Sequence, residues 1–156
     1  VASCRAMAAA LPCTIAVVRP GDDALAAALA AEGATVVRCA RADEGMGASL
    51  ACGVAASRDA AGWVVALADM PWIAPRTIRR VADAIVSGAS IAAPFHLGER
   101  GHPVGFSRVH RDALLALGGD EGAKNVVAAH RIGVVRIDVD DPGALRDVDR
   151  PCDLRG

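Results

Sequence analysis

Short apolar runs alternate along this chain with longer stretches in which alanine and leucine are mixed with charge. Three of the short runs, CTIAVV (13–18), ATVVRC (34–39) and GWVVALA (62–68), are rich in valine and bounded by Gly, Pro or Asp, which predicts strands. The stretches between them predict helices. Residues 3–11 read as the end of a helix closed by Pro12. In GDDALAAALAAEG, Asp22 or Asp23 suits the N-terminus and Gly33 the left-handed position after the C-terminus. ARADEGMG (40–47) is a loop and ASLACGVAAS (48–57) a helix. Pro75 is placed as the first residue of a helix running to about Gly88. Further on, SIAAPF and HPVGFS are short strands around the turn LGERG, a local antiparallel element. RDALLAL and GAKNVVAAH are helices, GVVRIDV is a last strand, and RPCDLR begins a final helix.

Strand and helix in alternation predict an α/β domain with a mostly parallel sheet. The strands are continuous apolar runs, as when helices cover both faces of a sheet. With no internal repeat and no linker, residues 1–156 read as a single domain.

Composition narrows the function. The 17 basic residues are scattered, the formal net charge is −1, and aromatic residues make up only 3%. A nucleic-acid surface needs a basic stripe and rings to stack on, so that class is set aside. No apolar run approaches the roughly 20 residues of a membrane span, and residues 1–18 lack the pattern of a signal peptide. Of the five cysteines none forms a CxxC pair, so they read as reduced, small hydrophobes of a cytoplasmic protein, without a structural zinc site.

The sharpest local signal is ALADMPWI (66–73), where a buried-type run ends on a carboxylate and turns at once. In open α/β sheets ligands bind beyond the carboxyl ends of strands. There Asp69 would hold a divalent cation on a substrate phosphate, or else cap a turn. His96, His110 and His130 lack metal-type spacing, and Trp63 and Trp72 read as packing residues.

Five stretches, GMGASL (45–50), ALADMP (66–71), GERGHPVGF (98–106), GDEGAK (119–124) and DVDRPCDL (147–154), together resemble the nucleotidyltransferases related to molybdenum cofactor cytidylyltransferase, in order and in spacing. The resemblance covers nearly the whole chain and implies a three-layer Rossmann-like nucleotidyltransferase domain of GT-A-like type. Family members open with a strand and a Gly-rich loop of the form LAAGxSxRMG, followed by a lysine. Those features do not occur after Val1 and would lie upstream of it, so the chain is expected to be N-terminally incomplete, its first strand missing.

The implied reaction is transfer of CMP from CTP to the terminal phosphate of a molybdopterin-type acceptor, with release of pyrophosphate and with Mg2+ as cofactor. A guanylyltransferase, a transferase for another small acceptor, and a non-catalytic cofactor-binding remnant are the alternatives. Asp69 would be one metal ligand and Asp149 the second, with Asp147 close enough in sequence to compete for that role. Gly45, Met46, Gly47, Ser49, Leu67 and Ala68 would meet the nucleotide, though Ser49 equally suits a helix cap. GASLA departs from the Pro-Leu-Ala-Gly type loop of guanylyltransferase relatives, which favours cytosine. Gly101, His102, Pro103 and Lys124 would meet the acceptor. A plain hairpin for His102, a solvated lysine at 124 and a helix cap for Asp120 are the ordinary readings. The remaining partner implied is transient contact with a molybdoenzyme or its chaperone.

Overall fold

A computed structural model describes residues 1–148. The helix begun at RPCDLR, the cysteine at 152 and the ligand role of Asp149 fall outside the described residues.

After helix α1 (Ala2–Ala10), strand β1 (Ile15–Val18) leads through α2 (Asp23–Ala31) to β2 (Thr35–Arg38), and the two strands pair in parallel, Ile15 opposite Thr35. α2 ends where the sequence places its stop. Gly33 takes φ +88°, the Gly33 N–H donates to Ala30 O, and the Ala34 N–H donates to Leu29 O. Those two bonds satisfy carbonyls that the last turn leaves open.

Helix α3 (Met46–Ala56) and strand β3 (Gly62–Val65) follow, then α4 (Pro75–Val86) with Pro75 in its first turn. α4 ends as α2 does: Gly88 takes φ +105°, and the N–H groups of Gly88 and Ala89 donate to Ile85 O and Ala84 O. β4 (Ile91–His96) and β5 (Glu99–Arg100) form a hairpin. Its two loop residues, Leu97 and Gly98, both have positive φ, 50° and 87°, the signature of a tight primed turn. The chain continues through β6 (Val104–Ser107), α5 (Arg111–Leu115), α6 (Lys124–Ala129) and β7 (Val134–Asp138).

The larger sheet is mixed rather than mostly parallel. β7 joins β4 in parallel, but β6 inserts between β3 and β4 and is antiparallel to both. The reversal at Leu97–Gly98 sends the chain back along β4, so β6 can enter only antiparallel. The same insertion shortens β3. Its ladder ends at Val65 opposite Val104, where the next partner, Pro103, has no N–H to donate. β1 and β2 form a separate two-stranded sheet.

Helices cover both faces of the larger sheet. Ile91 and Ala93 of β4 face a core with Val54 of α3, Leu114 of α5 and Val126 and Val127 of α6. The intervening Ala92 faces Val81 of α4 and Ile137 of β7. This strict alternation gives the three layers. α1 spans the two sheets: Cys4 packs with Val18, Ala26 and Leu29, and Met7 with Met70, Ile73 and Ile78.

One expectation is overturned. Cys39, just past β2, and Cys52, in α3, form a disulfide with Cα atoms 6.0 Å apart, whereas Cys4 and Cys13 are free. Their separation of 13 residues matches no local motif. The pairing arises because α3 packs back over the β1–β2 unit. Among the described residues no helix is long and apolar enough to cross a membrane.

Candidate functional site

Two neighbourhoods hold the candidate residues. The first is a cavity of about 380 Å³ at the carboxyl end of β1. Arg19 and Asp22 from the turn into α2 line it, as do Gly45, Met46 and Ser49 from the start of α3, and Asp120 from the loop before α6. Gly45 has φ +126°, a conformation open to glycine and strained for other residues. A Cβ on Gly45 would also collide with the Asp120 carboxylate, and one on Gly47 would press on the Gly118 carbonyl. The Gly47 N–H donates to Gly119 O at 2.7 Å. The two glycine-rich loops are thus fitted backbone to backbone, which only residues without a side chain permit.

Among the residues expected at the nucleotide, Gly45, Met46 and Ser49 reach this cavity. Gly47 is buried beside it and anchors the loop. Leu67 packs in the cluster with Met7, Met70 and Ile73. Ala68 is exposed, and its carbonyl accepts the Ser3 hydroxyl at 2.8 Å.

The second neighbourhood surrounds Asp69. Its carboxylate is exposed, while its backbone carbonyl accepts the Val148 N–H at 2.8 Å. The residues just before position 149 are therefore drawn alongside Asp69, and Asp147 is exposed next to that bond. His102 lies close enough to Asp69 and Arg100 for both to act on its ring. Burial holds the His102 imidazole below its ordinary pKa, Arg100 lowers it further, and Asp69 opposes them. Its Nδ1 is buried with no hydrogen-bond partner among the described residues. The His102 N–H donates to Ala144 O at 2.8 Å, and a side chain on Gly101 would run into that same carbonyl. Gly101 and Pro103 are buried, Pro103 following a cis peptide bond. Lys124 is exposed at the first residue of α6.

Asp141 braces this corner. It is 4% exposed, and its carboxylate accepts the Ala74 N–H at 3.0 Å, the Thr77 hydroxyl at 2.5 Å and the Gly143 N–H at 3.1 Å. It thereby ties the start of α4 to the chain leading back to Asp69. The Arg146 guanidinium lies 4.0 Å above the Trp72 ring.

As site residues Arg19, Asp22 and Asp141 are absent from the sequence reading, which gives Asp22 only as a candidate helix cap. The first two were findable, because RPGDD follows a strand at its carboxyl end, the ligand side of an α/β sheet. Nothing local marks Asp141, whose partners at positions 74 and 77 are 67 and 64 residues away.

For a metal, the described residues hold no group of three or more His, Cys, Asp or Glu placed as ligands. An exposed carboxylate with a second acidic segment beside it still fits Mg2+, which retains several waters and relies on substrate phosphate oxygens.

A three-layer α/β domain with a polar cavity beyond a parallel strand pair, walled by a glycine loop, belongs to the nucleotide-binding α/β class. The family model of the MobA-like NTP transferase domain matches residues 2–134, and the chain belongs to that family. It is 31% identical over 116 residues to the purine catabolism protein PucB of Bacillus subtilis (strain 168), covering 72% of this chain. The match spans 56% of PucB, little more than half of its length. Among solved structures it is similar to Rv0371c of Mycobacterium tuberculosis H37Rv at 30% identity and TM-score 0.78, covering 99% of this chain and 80% of that one. A manganese complex of Rv0371c matches at 31% identity and TM-score 0.76, covering 99% and 82%. A nucleotidyl transferase from Methanothermobacter shares the fold at TM-score 0.80 and 21% identity, covering 99% and 76%.

Proposed function

We propose that this chain carries the site of a nucleotidyltransferase that moves CMP from CTP to the terminal phosphate of a molybdopterin-type acceptor. The observation that supports this best is the juxtaposition of the GMGASL loop with a cavity at a strand's carboxyl end. A separate exposed carboxylate, Asp69, lies beside the GHP segment, whose Gly101 and Pro103 are buried and whose His102 is half-buried. An acceptor phosphate oxygen attacks the α-phosphorus of CTP, the bond to the β-phosphate oxygen breaks, and pyrophosphate leaves. Mg2+ held by Asp69 and Asp149 would neutralise charge on the reacting phosphates. The protein's share is positioning. Gly45 and Gly47 let backbone approach the base, and His102, neutral at physiological pH, faces the acceptor without adding to its charge. The manganese complex of Rv0371c is in keeping with a divalent ion in this family.

The test is thermal unfolding of the chain with Mg2+ and CTP, GTP or UTP. A ligand that binds only the folded state at 100 times its Kd adds about 2.7 kcal/mol. CTP should raise the midpoint most. A larger shift with GTP would move the assignment to the guanylyl branch.

A further inference from the structure

The loop before α6 carries an exposed carboxylate that is not the helix cap its position suggests. Asp120 does not cap α6: that helix begins at Lys124, its cap residue is Ala123, and no side chain bonds there. Among the described residues Asp120 has neither a hydrogen bond nor an ion pair, although its neighbour Glu121 bonds Asn125. Instead it rests against Gly45 and lines the cavity with Met46 and Ser49. Its position is fixed from below by the Gly47 N–H to Gly119 O bond. Leu25 and Met46 add apolar surface to the same cavity, suited to the face of a planar ring.

An ionised carboxylate accepts hydrogen bonds and donates none. Beside a planar ring it rewards an edge that presents an amine and repels one that presents a carbonyl. Cytosine and uracil differ by amine against carbonyl at one ring position and by a bare nitrogen against an N–H at the next, so a carboxylate aimed at the exocyclic position meets a donor in cytosine and a carbonyl in uracil; guanine also carries an amine. We infer that Asp120 is the base-specificity residue of this cavity, accepting a hydrogen bond from the exocyclic amine of the nucleotide's base. The inference rests on the proposed nucleotide site and adds which group reads the base. A hydrogen bond to a charged group, set against a repulsive contact in its place, corresponds to about 10- to 100-fold in affinity.

The experiment is calorimetric titration of the full chain with CTP, UTP, GTP and ITP in Mg2+, for the unmodified protein and for Asp120→Asn and Asp22→Asn. The unmodified protein should bind CTP at least about 10-fold tighter than UTP. Asp120→Asn, whose amide can turn its N–H2 toward a carbonyl, should bring that ratio close to one, whereas Asp22→Asn, at the other carboxylate of the same cavity, tests the rival reader and should shift CTP and UTP affinity alike. If GTP is the preferred ligand, collapse of the GTP-to-ITP ratio in Asp120→Asn supports amine reading with guanine as its source. A CTP-to-UTP ratio that survives Asp120→Asn, or that follows Asp22→Asn instead, overturns the inference and leaves the nucleotide site standing. Absence of binding by any of the four nucleotides to the unmodified protein overturns both. Unfolding midpoints of the two variants check that each is folded.

Discussion

At the scale of single residues, Asp69 separates structure from chemistry. Its backbone carbonyl makes the bond to Val148, while its side chain is exposed. Asp69→Asn keeps the backbone bond and removes only the negative charge, so stability should change by no more than about 0.5 kcal/mol. Loss of a preorganised charge at a reacting phosphate costs on the order of 10²–10³ in rate. We therefore expect nucleotidyl transfer by Asp69→Asn to fall by about that factor with the unfolding midpoint unchanged. A variant that loses stability and activity together would give Asp69 a structural role instead. Asp69 was legible in the sequence because a carboxylate ending an apolar run stands out. Asp120 was visible as a residue but misassigned to a helix cap, since the helix it precedes starts four positions later than its own number.

At the scale of elements, the segment from β2 into α3 is closed by the Cys39–Cys52 disulfide. That ring encloses Ala42, Gly45, Met46 and Ser49, all of which line the cavity. A disulfide across 13 residues removes about 3 kcal/mol of loop entropy from the unfolded chain. For a domain of this size that corresponds to a midpoint shift on the order of 10 °C. Reduction with a phosphine should lower the unfolding midpoint by about that much, and in Cys52→Ser the reductant should have no further effect. Equal midpoints in oxidised and reduced protein, with two extra thiols titrated after reduction, would show that the bond adds little. The pairing was not legible, because spacing along the chain says nothing of how α3 folds back.

At the scale of the whole molecule, a buried histidine, His110, and a half-buried one, His102, link stability to pH. His110 is 4% exposed, 2.7 Å from the Ser90 hydroxyl through Nε2, and its ring centroid is 4.7 Å from that of His130. Burial lowers its pKa first and the neighbouring His130 lowers it further, while His102 is lowered by its own burial and Arg100. In the unfolded chain both titrate near 6.5, at about the free-imidazole value. Between that pH and their lower folded values the unfolded state binds protons that the folded state does not. Stability contributed by the neutral rings is therefore complete above about pH 6.5 and is lost as pH falls through the folded values, by at most about 1.4 kcal/mol per pH unit for each ring. Unfolding midpoints should be level from pH 8 to 7 and decline below 6.5, with a shallower decline in His110→Gln. A decline of undiminished slope in His110→Gln would place the titration elsewhere.

What the sequence determined by itself are the features whose cause is local. Gly33 and Gly88 end helices because a left-handed residue must follow the last turn, and Pro75 starts one because its missing N–H is not needed there. The reversal after SIAAPF was legible as the turn LGERG, although only Leu97 and Gly98 form its loop and Glu99–Arg100 pair with β4 as β5. The α/β class follows from short apolar runs between alanine-rich helices. Only the tertiary structure decided where β6 enters the sheet, that Cys39 meets Cys52, that Asp141 braces α4, and that Asp120 faces a cavity. Each of those depends on segments brought together by burial of apolar faces. Burial is set by the packing of the whole chain and leaves no periodic mark on the residues that happen to meet.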